Sequence, residues 1–195
     1  MIWNRHSELE GSHAFLSASK YHWIAYDDEK IKASYENHLR VMLGTELHEL
    51  AAKCIRLGQK LPDDGQTMSM YVNDAIDLGL SPEVLLYYSE YCFGTADAIG
   101  YQSGKLTIHD LKTGLIPAHI EQLEIYAALF CLEYGHKPAD LDITLRIYQN
   151  QEIIELIPDV DQIVPIMDTI IRFDNILRQT RSRQNKEVFS NEQVD

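Results

Sequence analysis

Two aspartates and a lysine fall near one end of a predicted β-hairpin, a pattern typical of a metal site in an enzyme. Two predicted strands flank Ser103 and Gly104, which suit a two-residue hairpin loop. Pairing outward from that loop puts Asp97 directly opposite Asp110. Lys112 follows Asp110 by two residues and therefore projects from the same face. The spacing predicts a metal site with a catalytic lysine.

The opposed aspartates are hard to explain as a purely structural feature. Directly opposed residues lie about 4.5–5.5 Å apart at Cβ, where like charges repel. A bound divalent cation would remove that repulsion. The alternative is a surface salt-bridge cluster on a strand that faces solvent. Ile99 and Ile108 share the face of the aspartates, which favours burial there.

Length and composition indicate a single globular domain in a reducing compartment. The chain has 195 residues, with 45% hydrophobic and 24% charged residues. No apolar run approaches the ~18 residues of a membrane-spanning helix, and the first residues lack the layout of a secretory signal. The three cysteines are widely spaced and odd in number, which fits buried thiols in the cytoplasm.

The formal net charge of -13 argues against a nucleic-acid partner, but the charge is unevenly distributed. Residues 1–60 carry eight basic and eight acidic side chains, and residues 165–195 carry five of each. Residues 61–164 carry four basic and seventeen acidic side chains, so the whole deficit lies there. Bound cations would neutralise part of it if the metal site exists.

Periodicity and turn residues predict the order of the elements. Helices are expected over 30–58 (broken or bent near Gly44), 66–78, 117–134 and 160–184. Strands are expected over 84–88, 142–148 and 152–156, and a hairpin of two strands over 90–113. This order predicts an α/β single domain with a central mixed β-sheet flanked by helices. Its parts are a helical region over 1–60, a sheet core over 84–156, a helix over 160–184 and a frayed tail over 185–195.

Four short motifs follow one another along these elements. Together they resemble the PD-(D/E)xK nuclease superfamily, in its RecB-like and phage-exonuclease branch, and imply a restriction-endonuclease-like core. The motifs are Gly44-Thr45-Glu46-Leu47-His48, Gly94-Thr95-Ala96-Asp97, Asp110-Leu111-Lys112 and Gln122-Leu123-Glu124-Ile125-Tyr126.

The resemblance implies a role for each matching residue. Asp97 and Asp110 would bind the metal together with His48 and the backbone carbonyl of Leu111, and Lys112 would be the catalytic lysine. The third-motif acid is an aspartate, where glutamate is commoner in the family. Members with an iron–sulfur cluster use four cysteines, so no such cluster is expected here.

Gln122 and Tyr126 match the glutamine–tyrosine helix motif of the family. They are four residues apart and share a helix face. They would steady the active site or contact DNA, or they form a polar edge on a core helix. His109 points away from Asp110 and is expected to be structural. Glu46 is a rival metal ligand, although solvation on the helix surface is the favoured interpretation of this residue.

Two basic segments have a functional and a structural interpretation. The series Arg172, Arg178, Arg181, Arg183 and Lys186 would contact DNA phosphates, or it is a solvated helix end. The segment 20–23 mixes cationic and aromatic side chains, which suits stacking on a strand end or anchoring in the core.

The expected cofactor is Mg²⁺, with Mn²⁺ as a substitute because a histidine ligand is softer than oxygen. The expected activity is hydrolysis of DNA phosphodiester bonds, at duplex ends or on single strands, in the cytoplasm of a bacterial or phage-infected cell. A role in recombination or repair would involve a homo-oligomer or a recombination protein. The alternatives are an RNA nuclease and a catalytically silent nuclease fold that acts through protein–protein contacts.

Overall fold

The fold is built on a five-stranded β-sheet with helices packed against it. The structure, a computed structural model, describes the backbone of residues 4–114, 117 and 119–191 and the side chains as far as residue 184. Backbone contacts separate residues 1–46 from residues 47–195 as two compact units. The predicted α/β class, with a mixed sheet flanked by helices, is confirmed. One domain over residues 1–195 stays a prediction.

The sheet and the helices that cover it follow one another in a simple order. In the described part of the chain the helices are α1 (Asp28–Leu57), α2 (Thr67–Asp77), α3 (Glu121–Tyr134) and α4 (Val160–Asn191). The strands are β1 (Ser81–Ser89), β2 (Cys92–Gln102), β3 (Lys105–Leu111), β4 (Asp142–Gln149) and β5 (Glu152–Leu156), and they lie in the sheet in that order.

Both predicted hairpin loops are present, and they set the registers of their strands. Ser103 and Gly104 have φ values of 52° and 85°, and Asn150 and Gln151 have φ values of 51° and 63°. Two successive positive φ angles are what a type I′ turn requires, and that turn matches the twist of the flanking strands. As predicted, Gln102 pairs with Lys105 in the first hairpin.

Helices cover the sheet on both faces. Strands β3 and β4 are parallel, and α3 connects them because parallel neighbours need a crossover. One apolar cluster joins the sheet to α3 and α4, with Ile108, Leu123, Ala127 and Ile163 fully buried. A second cluster joins it to α2 and to the carboxy-terminal turns of α1, where Ala51, Tyr71 and Tyr148 are buried.

The helices differ most from the predicted ones at three points. Helix α1 runs through Gly44 without a break, because one glycine costs a helix only about 1 kcal/mol. The predicted start of α3 at Pro117 is wrong, since α3 begins at Glu121, where Glu121 and Glu124 favour the first turn. Residues 115, 116 and 118 lie outside the described residues. Helix α4 continues past residue 184 to Asn191.

None of the helices in the described ranges has a stretch long and apolar enough to cross a membrane.

Candidate metal centre

Strands β2 and β3 separate at the point where the sequence places the two aspartates. Their ladder ends with Ala98 opposite His109, so the predicted backbone pairing of Asp97 with Asp110 does not form. Beyond that point β2 stays paired with β1, and β3 stays paired with β4. The Asp97 carboxylate bridges the gap, since its Oδ2 accepts a hydrogen bond from the Leu111 N–H at 2.9 Å.

The backbone of β2 is irregular around Asp97. Residues two apart on a regular strand share a face. Ala96, however, belongs to the apolar cluster with α3 and α4, whereas Ala98 belongs to the cluster with α1 and α2. A local departure from strand geometry at Asp97 therefore accompanies the separation of β2 from β3.

His48, for which the resemblance implies a metal-binding role, lies beside Asp97. Its Nδ1 is 3.3 Å from Asp97 Oδ2. The hydrogen bond with Asp97 raises the pKa of His48, partly opposed by burial. Ala51 and Ala52 lie on the next turn of α1, and their burial against the sheet anchors the helix there.

Asp110 and Lys112 form an ion pair at the end of β3. Lys112 Nζ is 3.0 Å from Asp110 Oδ1 and 2.8 Å from Oδ2, and hydrogen-bond geometry is met only at Oδ1. The Asp110 side chain is 3% exposed and that of Lys112 is 30% exposed. Burial and the nearby charge of Asp97 raise the pKa of Asp110, and Lys112 offsets this only in part.

A chain of hydrogen bonds extends from Lys112 to helix α3. Lys112 Nζ donates to Gln122 Oε1 at 3.0 Å, and Gln122 Nε2 donates to the Tyr126 hydroxyl at 3.2 Å. The backbone N–H of Lys112 donates to the Tyr148 carbonyl at 2.9 Å, which continues the β3–β4 ladder past Leu111. Both predicted helix residues are thus connected to the predicted lysine.

Gly94 leaves the space that the Tyr126 ring occupies. A Cβ at residue 94 would lie 2.9 Å from Tyr126 Cε1, which is closer than carbon atoms pack. The glycine of the Gly94–Asp97 motif therefore has a packing role next to the glutamine–tyrosine helix.

Gly94→Ala is expected to destabilise the fold by about 1 kcal/mol, because the Tyr126 ring must shift. Urea unfolding measures this change in free energy. In a Tyr126→Ala background the cost of Gly94→Ala should disappear, so a double-mutant cycle gives a coupling free energy of similar size. Additive effects would contradict the close contact.

Glu83 joins the site, although no pattern in the sequence predicted it there. One ligand atom each from His48, Glu83 and Asp97 lie within 4.8 Å of one another. On β1, Pro82 and Val84 pair with Ala98 and Ala96, so Glu83 lies opposite Asp97. Burial and the charge of Asp97 raise the pKa of Glu83.

The position of Glu83 depends on an irregularity in strand β1. Counting outward from the β1–β2 turn, where Ser89 pairs with Cys92, puts Val84 opposite Asp97. The register shifts by one residue between Tyr87 and Ser89, which brings Glu83 there instead. Glu83 also has a φ of 55°, a left-handed conformation that costs a side-chain-bearing residue about 1–2 kcal/mol.

The side chains at this site suit a divalent cation. They combine an imidazole nitrogen with carboxylate oxygens, a donor set that Mn²⁺ and Mg²⁺ accept. His48, Glu83 and Asp97 would hold the ion, and Asp110 adds a buried oxygen, Oδ2, that no described group hydrogen-bonds. Leu111 is buried and its N–H is bound to Asp97. The metal-binding role of its carbonyl stays a prediction.

His109 lies in a buried network behind the site, which agrees with its predicted structural role. The Tyr148 hydroxyl donates to Asp74 Oδ2 at 2.7 Å and lies 3.3 Å from His109 Nδ1. Because that hydroxyl has one proton, Nδ1 is the donor to it. Nε2 has no partner among the described residues, and burial lowers the pKa of His109 to about 3.

The buried His109 is expected to make the protein less stable as the pH drops below 6.5. The unfolded chain binds a proton at His109 near pH 6.5, whereas the folded chain binds it only near pH 3. Between these values the unfolded state binds more protons, so acid favours unfolding by up to about 1.4 kcal/mol per pH unit. Urea unfolding at pH 7, 6 and 5 should show this slope, and His109→Gln should reduce it. An equal slope in both proteins would contradict the assignment.

Comparisons of the chain with models of protein families, with curated proteins and with solved structures found no match.

Proposed function

We propose that this protein is a divalent-cation-dependent DNA nuclease of the PD-(D/E)xK type. One observation carries the proposal: three segments of the chain bring His48, Asp97 and the Asp110–Lys112 pair into electrostatic interaction around the gap between β2 and β3. Phosphodiester hydrolysis needs a bound cation and positive charge near the phosphate. A cluster of cation-binding groups beside a lysine that is paired with a buried carboxylate would supply both.

Each side chain has a distinct task in such a reaction. A bound cation would neutralise charge on the phosphate and acidify a water molecule. His48, Glu83 and Asp97 would hold that cation, and Asp110 would add a further oxygen ligand. Lys112 would orient the attacking water or stabilise the negative charge that develops on the phosphate. Gln122 fixes the ammonium of Lys112, and Tyr126 fixes Gln122.

The expected substrate is DNA with a free end, either a duplex end or a single strand, in the cytoplasm of a bacterial or phage-infected cell. The end preference and the recombination or repair setting rest on the family resemblance. An oligomer or a recombination protein would then be the natural partner.

The test is incubation of the purified chain with linear duplex DNA, circular duplex DNA and single-stranded RNA, each with Mg²⁺, Mn²⁺ or EDTA. Loss of linear DNA only, and only with a metal, is the expected result. Equal loss of circular DNA would contradict end-dependent cleavage, and loss of RNA alone would identify an RNA nuclease. Intact substrates under every condition would favour the catalytically silent binding protein.

Two substitutions of Glu83 separate its cation binding from its strained backbone. Both Glu83→Gln and Glu83→Gly should weaken Mn²⁺ binding about tenfold. Glycine adopts the positive φ without strain, so Glu83→Gly should also be about 1 kcal/mol more stable than Glu83→Gln. Titration calorimetry with Mn²⁺ and urea unfolding measure the two effects. Unchanged Mn²⁺ affinity in both variants would remove Glu83 from the site.

A further inference from the structure

A half-open cavity of about 310 Å³ lies directly beside Lys112. Its walls come from α1, from the first residues of α2, from the end of β3 and from the β4–β5 loop. The lining residues are Leu47, Gln66, Thr67, Met68, Leu111, Lys112, Thr113, Asn150 and Gln151. Lys112 thus borders both this cavity and the candidate metal centre.

The cavity combines apolar surface with neutral polar groups. Leu47, Met68 and Leu111 supply the apolar surface, and the amides of Gln66, Asn150 and Gln151 supply polar groups. None of the described residues that line it is acidic, in a chain whose formal net charge is -13. No carboxylate of these lining residues would repel an anionic ligand, and the Asp110 carboxylate that pairs with Lys112 lies outside the lining.

Hydrogen bonds fix one wall of the cavity. The backbone N–H of Gln151 donates to Thr67 Oγ1 at 2.8 Å, and Gln151 Nε2 reaches Gln66 Oε1 at 3.5 Å. The β4–β5 loop is thereby tied to the start of α2. A wall held in this way keeps the amide groups in place for a ligand.

We propose that this cavity binds the base and sugar of one unpaired nucleotide whose phosphate lies at Lys112. The inference rests on the proposed function and extends it to the form of the substrate. A base has flat apolar faces and a polar edge, which match the apolar side chains and the amides respectively. A volume of about 310 Å³ is at the lower end for ligand sites and suits one nucleotide rather than a base pair.

The consequence is a preference for nucleotides outside a duplex. A base in a stacked, paired helix cannot enter a pocket of this size unless it leaves its partner. The protein should therefore act on single strands, overhangs and frayed ends more readily than on blunt duplex ends.

The test uses the methyl group of Met68 as a probe of binding in the full chain. The five methionines are labelled with ¹³C at the methyl group, and Met68→Leu identifies the Met68 signal. The metal-free protein is titrated with dAMP, dCMP, dGMP and dTMP, with deoxyribose 5-phosphate and with inorganic phosphate. A saturable shift of the Met68 signal with the nucleotides, at least fivefold weaker with the two base-free probes, is expected.

Two variants locate the binding, and neither changes a residue of the metal centre. Gln66→Ala removes one amide, and Asn150→Gly removes another while retaining the positive φ of the turn. Each should weaken nucleotide binding at least threefold, whereas the matched substitution Gln179→Ala on α4 should not. Three results would each overturn the proposal. They are binding of deoxyribose 5-phosphate as tight as that of the nucleotides, no shift of the Met68 signal, and unchanged nucleotide binding in both cavity variants.

This experiment is independent of cleavage, so the two proposals can fail separately. Nucleotide binding at Met68 in a protein that cleaves nothing would contradict the nuclease and retain the nucleotide site. Metal-dependent cleavage without a Met68 shift would retain the nuclease and exclude the site.

Discussion

Asp110→Asn is expected to lower metal-dependent DNA cleavage about a thousandfold while the protein remains folded. The substitution preserves shape but removes a charge that would face the cation and the phosphate. Losing about 4 kcal/mol of charge stabilisation corresponds to this factor, since each 1.4 kcal/mol is tenfold in rate. Initial rates on linear duplex DNA with saturating Mg²⁺ measure the loss.

The same substitution should leave the metal-free protein at least as stable as the wild type. Burial and the charge of Asp97 raise the pKa of Asp110, so ionising it disfavours the folded state. This cost grows as the pH rises from about 3.8 through the raised pKa, and it is fully present above it. Removing a cost of about 1 kcal/mol would raise the melting temperature by roughly 2–4 °C.

Asp168→Asn is the matched control for this experiment. It removes the same charge from an exposed residue on α4, so rate and melting temperature should stay close to wild type. Full activity of Asp110→Asn would show that the active site is elsewhere. A large fall in its melting temperature would show that Asp110 mainly holds the fold together.

The positions of β2 and β3 at the site were predictable from sequence because a short loop determines them. A two-residue loop at Ser103 and Gly104 specifies the register of β2 and β3 as far as Ala98 and His109, the residues next to Asp97 and Asp110. Lys112 follows from the alternation of side chains along β3. Helix periodicity predicted α2, and the resemblance selected His48, Gln122 and Tyr126, whose contacts the structure describes.

The parts that were not predictable depend on contacts between distant segments. Glu83 lies opposite Asp97 because of a register shift in β1, and no residue pattern near the β1–β2 turn specifies such a shift. The separation of β2 from β3 requires the Asp97 carboxylate to replace a backbone partner, which is a tertiary arrangement. The predicted break at Gly44 did not form, because the propensity cost of one glycine is small in a helix of 30 residues.

Lys112→Met should produce a different pattern, with both activity and metal-free stability reduced. Methionine keeps much of the side-chain volume but leaves the buried Asp110 without its cationic partner. Leaving a buried charged group unpaired costs about 2 kcal/mol. Cleavage should fall at least about a hundredfold, because charge on the transferring phosphate loses its ammonium partner. Urea unfolding and initial rates measure the two effects.

The stability of Lys112→Met with Mn²⁺ and at acid pH distinguishes the loss of an ion pair from a loss of packing. If Asp110 is the unpaired group, Mn²⁺ should stabilise the variant more than the wild type, since the cation takes over the role of the ammonium. The stability difference should also shrink at acid pH, where Asp110 is neutral in both proteins.

Lys105→Met, at the exposed opposite end of β3, is the control and should leave rate and stability nearly unchanged. The instability of Lys112→Met could instead persist unchanged with Mn²⁺ and at acid pH. That result would mean that Lys112 stabilises the fold by packing and does not balance the charge of Asp110.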